Sequence, residues 1–160
     1  MCIRDRTRPT LNMKSANLHC SYGDDVYQED PTVNNLESNI AAFFGKEKAL
    51  FFPTCTMANL TALLTWCEKR GSEIILGNKS HIFLFEQSGA SQIGGIGYSV
   101  LQNKHDGTID IEHIRKAIRD DDIHEPITSL IAIENTHNAC GGKILPISYL
   151  NDLQTLAKQH

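Results

Sequence analysis

The sequence predicts an α/β domain, a three-layer sandwich with a mostly parallel sheet, from three observations. Short apolar runs of the buried-strand type alternate along the chain with amphipathic runs at helical spacing. No obvious hairpin signal joins neighbouring runs, which favours a largely parallel sheet. With 160 residues, 41% of them hydrophobic, the chain is long enough to bury one core.

The first half of the chain contains two predicted helices and two predicted strands. Pro31 starts a helix that Gly45 ends, and its apolar side chains fall on one side: Val33, Leu36, Ile40, Phe43 and Phe44. Residues 49–52 form an apolar run that Pro53 stops, which predicts a buried strand. A helix with one apolar face then runs to Gly71, with Met57, Leu60, Leu63, Leu64 and Cys67 on that face. Residues 73–76 form a short strand, and Gly77 stops it.

The second half continues the alternation. Ser80 opens a predicted helix that extends to Ser88, and a glycine cluster at 94–97 breaks the chain before a strand at 98–101. Asp110 caps the next helix, and residues 130–133 form the last strand. After Pro146 comes a final helix with Ile147, Leu150, Leu153, Leu156 and Ala157 as its apolar residues. Residues 1–6 show no periodicity, and residues 23–31 form an acidic loop.

Composition and charge exclude several classes of partner. The formal net charge of −4 and the absence of a basic stripe argue against nucleic acid. No apolar run approaches membrane-spanning length, and no secretory signal opens the chain. The five scattered cysteines include no C-x-x-C pair, so we expect reduced thiols in a cytoplasmic protein.

A candidate anion site lies where Thr54, Cys55 and Thr56 enter a helix. The first N–H groups of a helix lack internal partners and carry partial positive charge, so a turn with small hydroxyl residues there suits a phosphate. The alternative is an ordinary helix cap formed by Thr54 or Thr56, and by the local pattern alone this is the more common case.

Three histidines extend this candidate site, because ligands of parallel sheets bind beyond the carboxyl ends of the strands. We expect residues 54–56, the turn before His81, the stretch around His124 and residues 134–137 to share one rim. His81 could stack on a planar ring or bind an anion, and His124 could act as a general base. Surface, loop or structural roles remain open for His81, His124 and His137. No metal-binding spacing, serine-hydrolase elbow or dinucleotide fingerprint is found.

These motifs together resemble the low-specificity L-threonine aldolase family, which belongs to the fold-type I enzymes that use pyridoxal 5′-phosphate (PLP). The matches are collinear from Thr7 to His160. They comprise residues 7–10, 23–27, 30–34, 53–59, 76–77, 80–86, 121–124, 134–138 and 141–142. The resemblance implies the fold-type I, PLP-dependent transferase-like large domain as the fold.

The resemblance also implies roles for individual residues. Cys55 and Thr56 would hold the PLP phosphate, although the family usually has glycine at the position of Cys55. His81 would stack on the cofactor ring, Phe85 would line the substrate pocket, and His124 would sit near the substrate hydroxyl and take its proton. The implied reaction is retro-aldol cleavage of L-threonine or L-allo-threonine to glycine and acetaldehyde. No metal is implied. We expect a homo-oligomer, a dimer of dimers.

The family pattern is interrupted at both ends of the chain. Residues 1–6 differ from the usual family opening and resemble a foreign leader, so residues 7–160 are expected to be the amino-terminal part of the PLP-binding large domain. The lysine that forms the Schiff base with PLP matches none of the nine lysines. We therefore expect a truncated, inactive portion of a longer aldolase. The alternatives are a PLP-dependent β-eliminating lyase of an aromatic amino acid, a non-catalytic interaction module, or an assembly remnant.

Overall fold

A computed structural model of the chain describes residues 8–160, and the expectation for residues 1–6 lies outside this range. Residues 8–55 form one compact unit and residues 56–160 form another. Within the described residues, no helix is both long and apolar enough to cross a bilayer.

The unit of residues 8–55 is built on two helices, α1 (Leu11–Leu18) and α2 (Pro31–Phe44). Asp30 caps α2, since its Oδ1 accepts hydrogen bonds from the backbone N–H groups of Thr32 (2.9 Å) and Val33 (3.0 Å). Gly45 ends the helix with a φ of 61°, a left-handed angle that glycine adopts without strain. The predicted helix 31–44 is therefore confirmed.

The strand predicted at residues 49–52 is wrong. These residues have no strand conformation, and Leu50 and Phe51 are exposed. The backbone N–H of Phe51 donates to the Glu37 carboxylate (2.6 Å) instead of to a neighbouring strand. An apolar run forms a strand only where a partner pairs with it, and this run pairs with none among the described residues.

The second unit is organised around three parallel strands, β1 (Ser72–Gly77), β2 (Gly97–Leu101) and β3 (Ile127–Ala132), in the order β2-β1-β3. Ser72 pairs with Ile127 at one end of the sheet, and Gly77 pairs with Leu101 at the other. All six residues of the central strand β1 are buried, as expected for a strand covered on both faces.

Helices cover both faces of this sheet, which confirms the predicted three-layer α/β architecture. On one face, α3 (Cys55–Trp66) and α5 (Gly89–Gly94) pack over a core of Leu63, Cys67, Ile74, Leu76, Ala90 and Ile96. On the other face, α6 (Ile111–Ala117) and α7 (Ile147–Ala157) pack over a core of Ile75, Ile109, Ile114, Leu145, Tyr149, Leu153 and Leu156. The alternating residues of β1 thus supply both cores.

The helix predicted over residues 80–88 is shorter than expected. Only His81–Leu84 form a helix, α4, and the chain then turns sharply at Gln87 and Ser88, whose φ angles are 54° and 52°. Two successive left-handed residues cannot continue an α-helix. The turn allows α5 to begin at Gly89, a helix that the sequence analysis did not predict.

Candidate functional site

The candidate site is built at the carboxyl end of β1, where the strand passes through a tight turn into α4. Gly77 ends the strand against Asn103, and a Cβ at this position would overlap the Asn103 side chain. Asn103 accepts a hydrogen bond from the backbone N–H of Lys79 (2.9 Å) and donates one to the carbonyl of Gly107 (3.0 Å). The buried side-chain amide of Asn103 therefore fixes the turn that precedes His81, the first residue of α4.

The His81 imidazole is held on one side and open on the other. Its Nδ1 lies 2.9 Å from Oε1 of Glu86, whose side chain is 6% exposed, whereas the His81 side chain is 27% exposed. The Phe85 ring lies beside it, with the centroids 5.4 Å apart and the planes inclined at 52°. Phe85 is itself 60% exposed. Part of the imidazole and one aromatic neighbour thus face solvent at the end of the sheet.

A second carboxylate positions the backbone of His81. Glu134 follows β3, and its two oxygens accept hydrogen bonds from the N–H groups of His81 (2.8 Å) and Asn138 (2.9 Å). The expectation that residues 134–137 meet the turn before His81 is confirmed by this contact. Glu134 therefore ties the ends of two neighbouring strands to the start of α4.

The helix α3 is tied to the same cluster. Asn59 donates from Nδ2 to Oε1 of Glu86 (2.8 Å), the oxygen that also contacts His81. Asn59 lies three residues after Thr56, so the two side chains share one face of α3. Thr56 is exposed and has the helical conformation at the start of this twelve-residue helix, where the helix dipole favours an anion.

Cys55 also needs no unusual backbone angle. It is the first residue of α3 and is exposed, and it is not among the residues with a positive φ. A side chain can therefore replace glycine here without backbone strain.

His124 lies at the opposite end of the sheet, and the expectation that its stretch shares the rim with His81 is wrong. The residue precedes β3 by three positions, at the end where Ile127 pairs with Ser72. Its backbone N–H donates to the Asp122 carboxylate (2.8 Å), and its side chain is exposed. The length of β1, about 17 Å, separates the two ends. A loop that precedes a parallel strand belongs to the amino end, and the spacing of motifs along a sequence does not reveal this.

His137 lies at the carboxyl end but is enclosed. It is 1% exposed, and neither ring nitrogen has a hydrogen-bond partner among the described residues. Its ring packs on Gly107, where a Cβ would come within 2.8 Å of the His137 Cβ. Residues 8–160 hold no group of three or more His, Cys, Asp or Glu side chains arranged to bind a metal ion.

A family model described as "Beta-eliminating lyase" matches residues 4–160. The chain belongs to the beta-eliminating lyase family. The match covers the residues of every element of the candidate site, including α3, the turn before α4 and the end of β3.

Individual members of the family support a closer relationship. The chain is 44% identical over 156 residues to low-specificity L-threonine aldolase 1 of Arabidopsis thaliana, covering 96% of the chain and 44% of the relative. It is 46% identical over 146 residues to the low specificity L-threonine aldolase of Escherichia coli strain K12, covering 91% of the chain and 43% of the relative. The chain thus spans less than half the length of these relatives.

The fold also matches a solved structure. The crystal structure of a candidate L-allo-threonine aldolase from Listeria monocytogenes superposes with a TM-score of 0.70 at 24% identity, over 96% of the chain and 42% of that protein. At this identity the likeness concerns the fold alone.

Sequence reasoning missed two members of the cluster, Asn59 and Glu86. Both lie within motifs that carry the family resemblance, yet no role followed from their spacing, because Glu86 was expected to lie inside a regular helix. The only signal was a carboxylate five residues after His81, which becomes meaningful once the chain turns at Gln87.

Proposed function

We propose that the gene product containing this chain, whether these 160 residues or a longer protein, is a PLP-dependent lyase. It cleaves L-threonine or L-allo-threonine to glycine and acetaldehyde by a retro-aldol reaction. The supporting observation is the 44% identity to a low-specificity L-threonine aldolase over 96% of the chain. The site geometry is compatible, since Thr56 in the first turn of α3 and the partly exposed imidazole of His81 belong to one unit of the structure.

The residues present fit PLP. Cys55 and Thr56 at the start of α3 would bind the phosphate through backbone N–H groups, with the Thr56 hydroxyl as a further donor. His81 would lie on the cofactor ring, and the exposed Phe85 ring beside it would line the pocket for the substrate side chain. When bound, PLP supplies an electron sink for the electron pair that remains on Cα after the Cα–Cβ bond breaks.

The proton of the substrate hydroxyl must reach a base as the aldehyde leaves. The sequence analysis assigns this role to His124 and gives ring stacking to His81, but the positions favour His81 as the base within one chain, because His124 lies at the amino end of the sheet. His124 would have to serve the site of a second subunit in the expected dimer of dimers. A neutral imidazole suits this proton transfer at ordinary pH.

We further propose that none of the nine lysines of this chain forms the Schiff base with PLP. By this proposal the 160 residues form the amino-terminal part of the cofactor-binding large domain and need further sequence for turnover. The oligomeric state and a cytoplasmic location remain predictions from the resemblance and from the cysteine pattern.

A product assay separates the proposed reaction from its main alternative. The purified gene product with PLP should release glycine and acetaldehyde from L-threonine or L-allo-threonine. A β-eliminating lyase of an aromatic amino acid would instead release phenol, ammonia and the keto acid pyruvate from tyrosine. Ammonia from tyrosine without glycine from threonine would overturn the proposal. A stable mixed oligomer with a complete homologue, without turnover of either substrate, would favour the interaction module.

The phosphate assignment has its own test. Thr56→Val removes the hydroxyl at the helix start and should raise the dissociation constant of PLP, measured by fluorescence, about five- to tenfold. Thr65→Val is the matched control, since Thr65 lies in the last turn of the same helix and bonds only to the carbonyl of Thr61. Equal effects of the two substitutions would exclude a specific role for Thr56.

A further inference from the structure

We propose that Glu86 is a positioning residue for His81, which fixes the imidazole proton on Nδ1 and leaves the lone pair of the neutral ring on Nε2. This inference rests on the proposed function for its consequences in catalysis. The geometry that carries it belongs to the chain itself and does not require PLP.

The hydrogen bonds at Glu86 determine which ring nitrogen of His81 is the donor. Asn59 approaches Oε1 with its amide nitrogen, which can only donate, so Oε1 acts as an acceptor. Nδ1 of His81 approaches the same oxygen at 2.9 Å and must then be a donor. A neutral imidazole carries one proton, so a proton on Nδ1 leaves Nε2 as the acceptor nitrogen.

Burial strengthens this arrangement. Glu86 is 8% exposed, so water competes poorly for Oε1, and a buried carboxylate is costly unless it is fully bonded. The contacts from Asn59 and His81 satisfy Oε1 from two different helices, and the hydrogen bond to Nδ1 favours one orientation of the imidazole ring.

The backbone around Glu86 is also fixed. Glu134 holds the amide of His81 at one end of the segment (2.8 Å), and the left-handed residues Gln87 and Ser88 reverse the chain at the other. The carbonyl of Glu86 accepts a hydrogen bond from the N–H of Gly89 (3.0 Å) at the start of α5. Residues in sparsely populated backbone regions persist where their surroundings over-determine them. The five-residue separation of His81 and Glu86 is therefore a constrained geometry rather than a chance contact.

Oε1 of Glu86, which contacts both Asn59 and His81, links two parts of the candidate site. Asn59 belongs to the helix whose first turn is the candidate phosphate site, and His81 is the candidate ring-stacking residue. Glu86 links the two through one atom, so the angle of the imidazole follows the position of α3. In the proposed reaction, Nε2 is the atom that faces the substrate and receives the hydroxyl proton.

The tautomer can be measured directly without PLP. Long-range ¹H–¹⁵N correlation spectra of the ¹⁵N-histidine-labelled gene product, recorded where histidines are neutral, separate Nδ1–H from Nε2–H. The His81→Asn variant assigns the signal. We expect the Nδ1–H form for His81 in the unmodified protein and a loss of this preference in Glu86→Leu. Glu86→Gln keeps a carbonyl acceptor of the same size and should retain the Nδ1–H form.

The controls distinguish positioning from general damage. Glu112→Leu changes an exposed carboxylate of α6 and should leave the His81 signal unchanged. If Glu86→Leu fails to fold, the unmodified protein and Glu86→Gln still decide the question. An Nε2–H signal for His81 in the unmodified protein, or an unchanged signal in a folded Glu86→Leu, would overturn the inference.

A second measurement separates this inference from the proposed function. Glu86→Leu should raise the dissociation constant of PLP about five- to tenfold, and Glu86→Gln should restore much of the affinity. If PLP does not bind at all, the proposed function fails while the tautomer result stands. If PLP binds and Glu86→Leu changes neither the tautomer nor the affinity, the proposed function stands and the role of Glu86 is excluded.

Discussion

The carboxylates at the two ends of the parallel sheet have different partners, a histidine at the carboxyl end and an arginine at the amino end. At the carboxyl end, Glu86 and Glu134 direct their oxygens to the side chain and the backbone of a single histidine, His81. At the amino end, the buried carboxylate of Glu73 pairs with Arg119 (3.1 Å), which also contacts Glu125 (3.4 Å). One cluster organises a group that can gain or lose a proton, and the other neutralises charge.

The choice of cation explains the difference. Arginine stays protonated under all ordinary conditions, and the hydrogen bond that Arg119 donates to Glu73 raises the pKa of Arg119 still further, so this pair cannot take part in proton transfer. Histidine changes charge near neutral pH and offers a second nitrogen to a ligand. The carboxylate–arginine cluster thus suits a structural end of the sheet, and the carboxylate–histidine cluster suits the end at which we propose the functional site.

The largest expected effect comes from substituting, one at a time, the histidines at the two ends of the sheet. His81→Asn should lower kcat for L-threonine cleavage by about 10²- to 10⁴-fold, the range for loss of a general acid–base group. His124→Asn should lower kcat less than tenfold, since this side chain is exposed at the far end of the sheet. Steady-state rates of acetaldehyde release by the gene product with PLP give the comparison. A larger loss for His124→Asn would transfer the base role to that residue and indicate a site shared between subunits.

A stability measurement tests the second carboxylate of the functional end. Glu134→Leu removes the acceptors of the His81 and Asn138 N–H groups, and we expect the free energy of unfolding to fall by about 1–3 kcal/mol. Urea denaturation followed by circular dichroism gives the value. Glu134→Gln keeps one carbonyl oxygen and should cost less, and Glu112→Leu on the exposed face of α6 is the surface control. Equal stability of Glu134→Leu and the parent chain would show that water replaces the carboxylate at no cost.

The pattern of the sequence predicts the layers better than the site. Residues 74–76 are apolar and are followed by Gly77, and the structure confirms a fully buried strand over Ser72–Gly77. Residues 49–52 show a similar composition but have no partner strand among the described residues. Local composition records the tendency to be buried, whereas strand formation depends on a neighbour that lies elsewhere in the sequence.

The site could be predicted in part, because its position depends on which ends of the parallel strands meet. The meeting of Glu134 with the turn before His81 follows from the rule that the carboxyl ends of parallel strands share one edge. The same rule excludes the loop of His124, because that loop enters β3 rather than leaving it. Glu86 escaped prediction because its position depends on two left-handed residues, Gln87 and Ser88, neither of which is a glycine that would signal a turn.

The structural end of the sheet should respond to salt, and the functional end should not. Arg119→Met removes the cation beside Glu73, so we expect a lower thermal midpoint, but a smaller change than that of Glu134→Leu, because Arg119 is 39% exposed. The difference from the parent chain should shrink between low salt and 0.5 M NaCl, since salt screens exposed charges. The Glu134→Leu difference should stay constant over the same range, because it reflects hydrogen bonds to backbone N–H groups. A salt response of the same size at both ends would remove the distinction between them.

The smallest effect concerns a carboxylate that only caps a helix. Hydrogen bonds from the N–H groups of Val33, Gly23 and Thr32 lower the pKa of Asp30 in the folded chain. A lowered pKa stabilises the fold above the ordinary carboxyl pKa, and this contribution is lost as the pH falls through the lower folded value.

In Asp30→Asn the side-chain oxygen still caps α2, but an amide N–H₂ group replaces the oxygen that accepts from Gly23 (3.1 Å). The thermal midpoint of the variant should therefore lie slightly below that of the parent chain above about pH 5. Below that pH the two should converge, because the protonated Asp30 loses the same hydrogen bond. A difference that persists unchanged at pH 2 would mean that the substitution acts through packing rather than through charge. In that case Asp30 would not be an example of a carboxylate that acts only by accepting hydrogen bonds from backbone N–H groups.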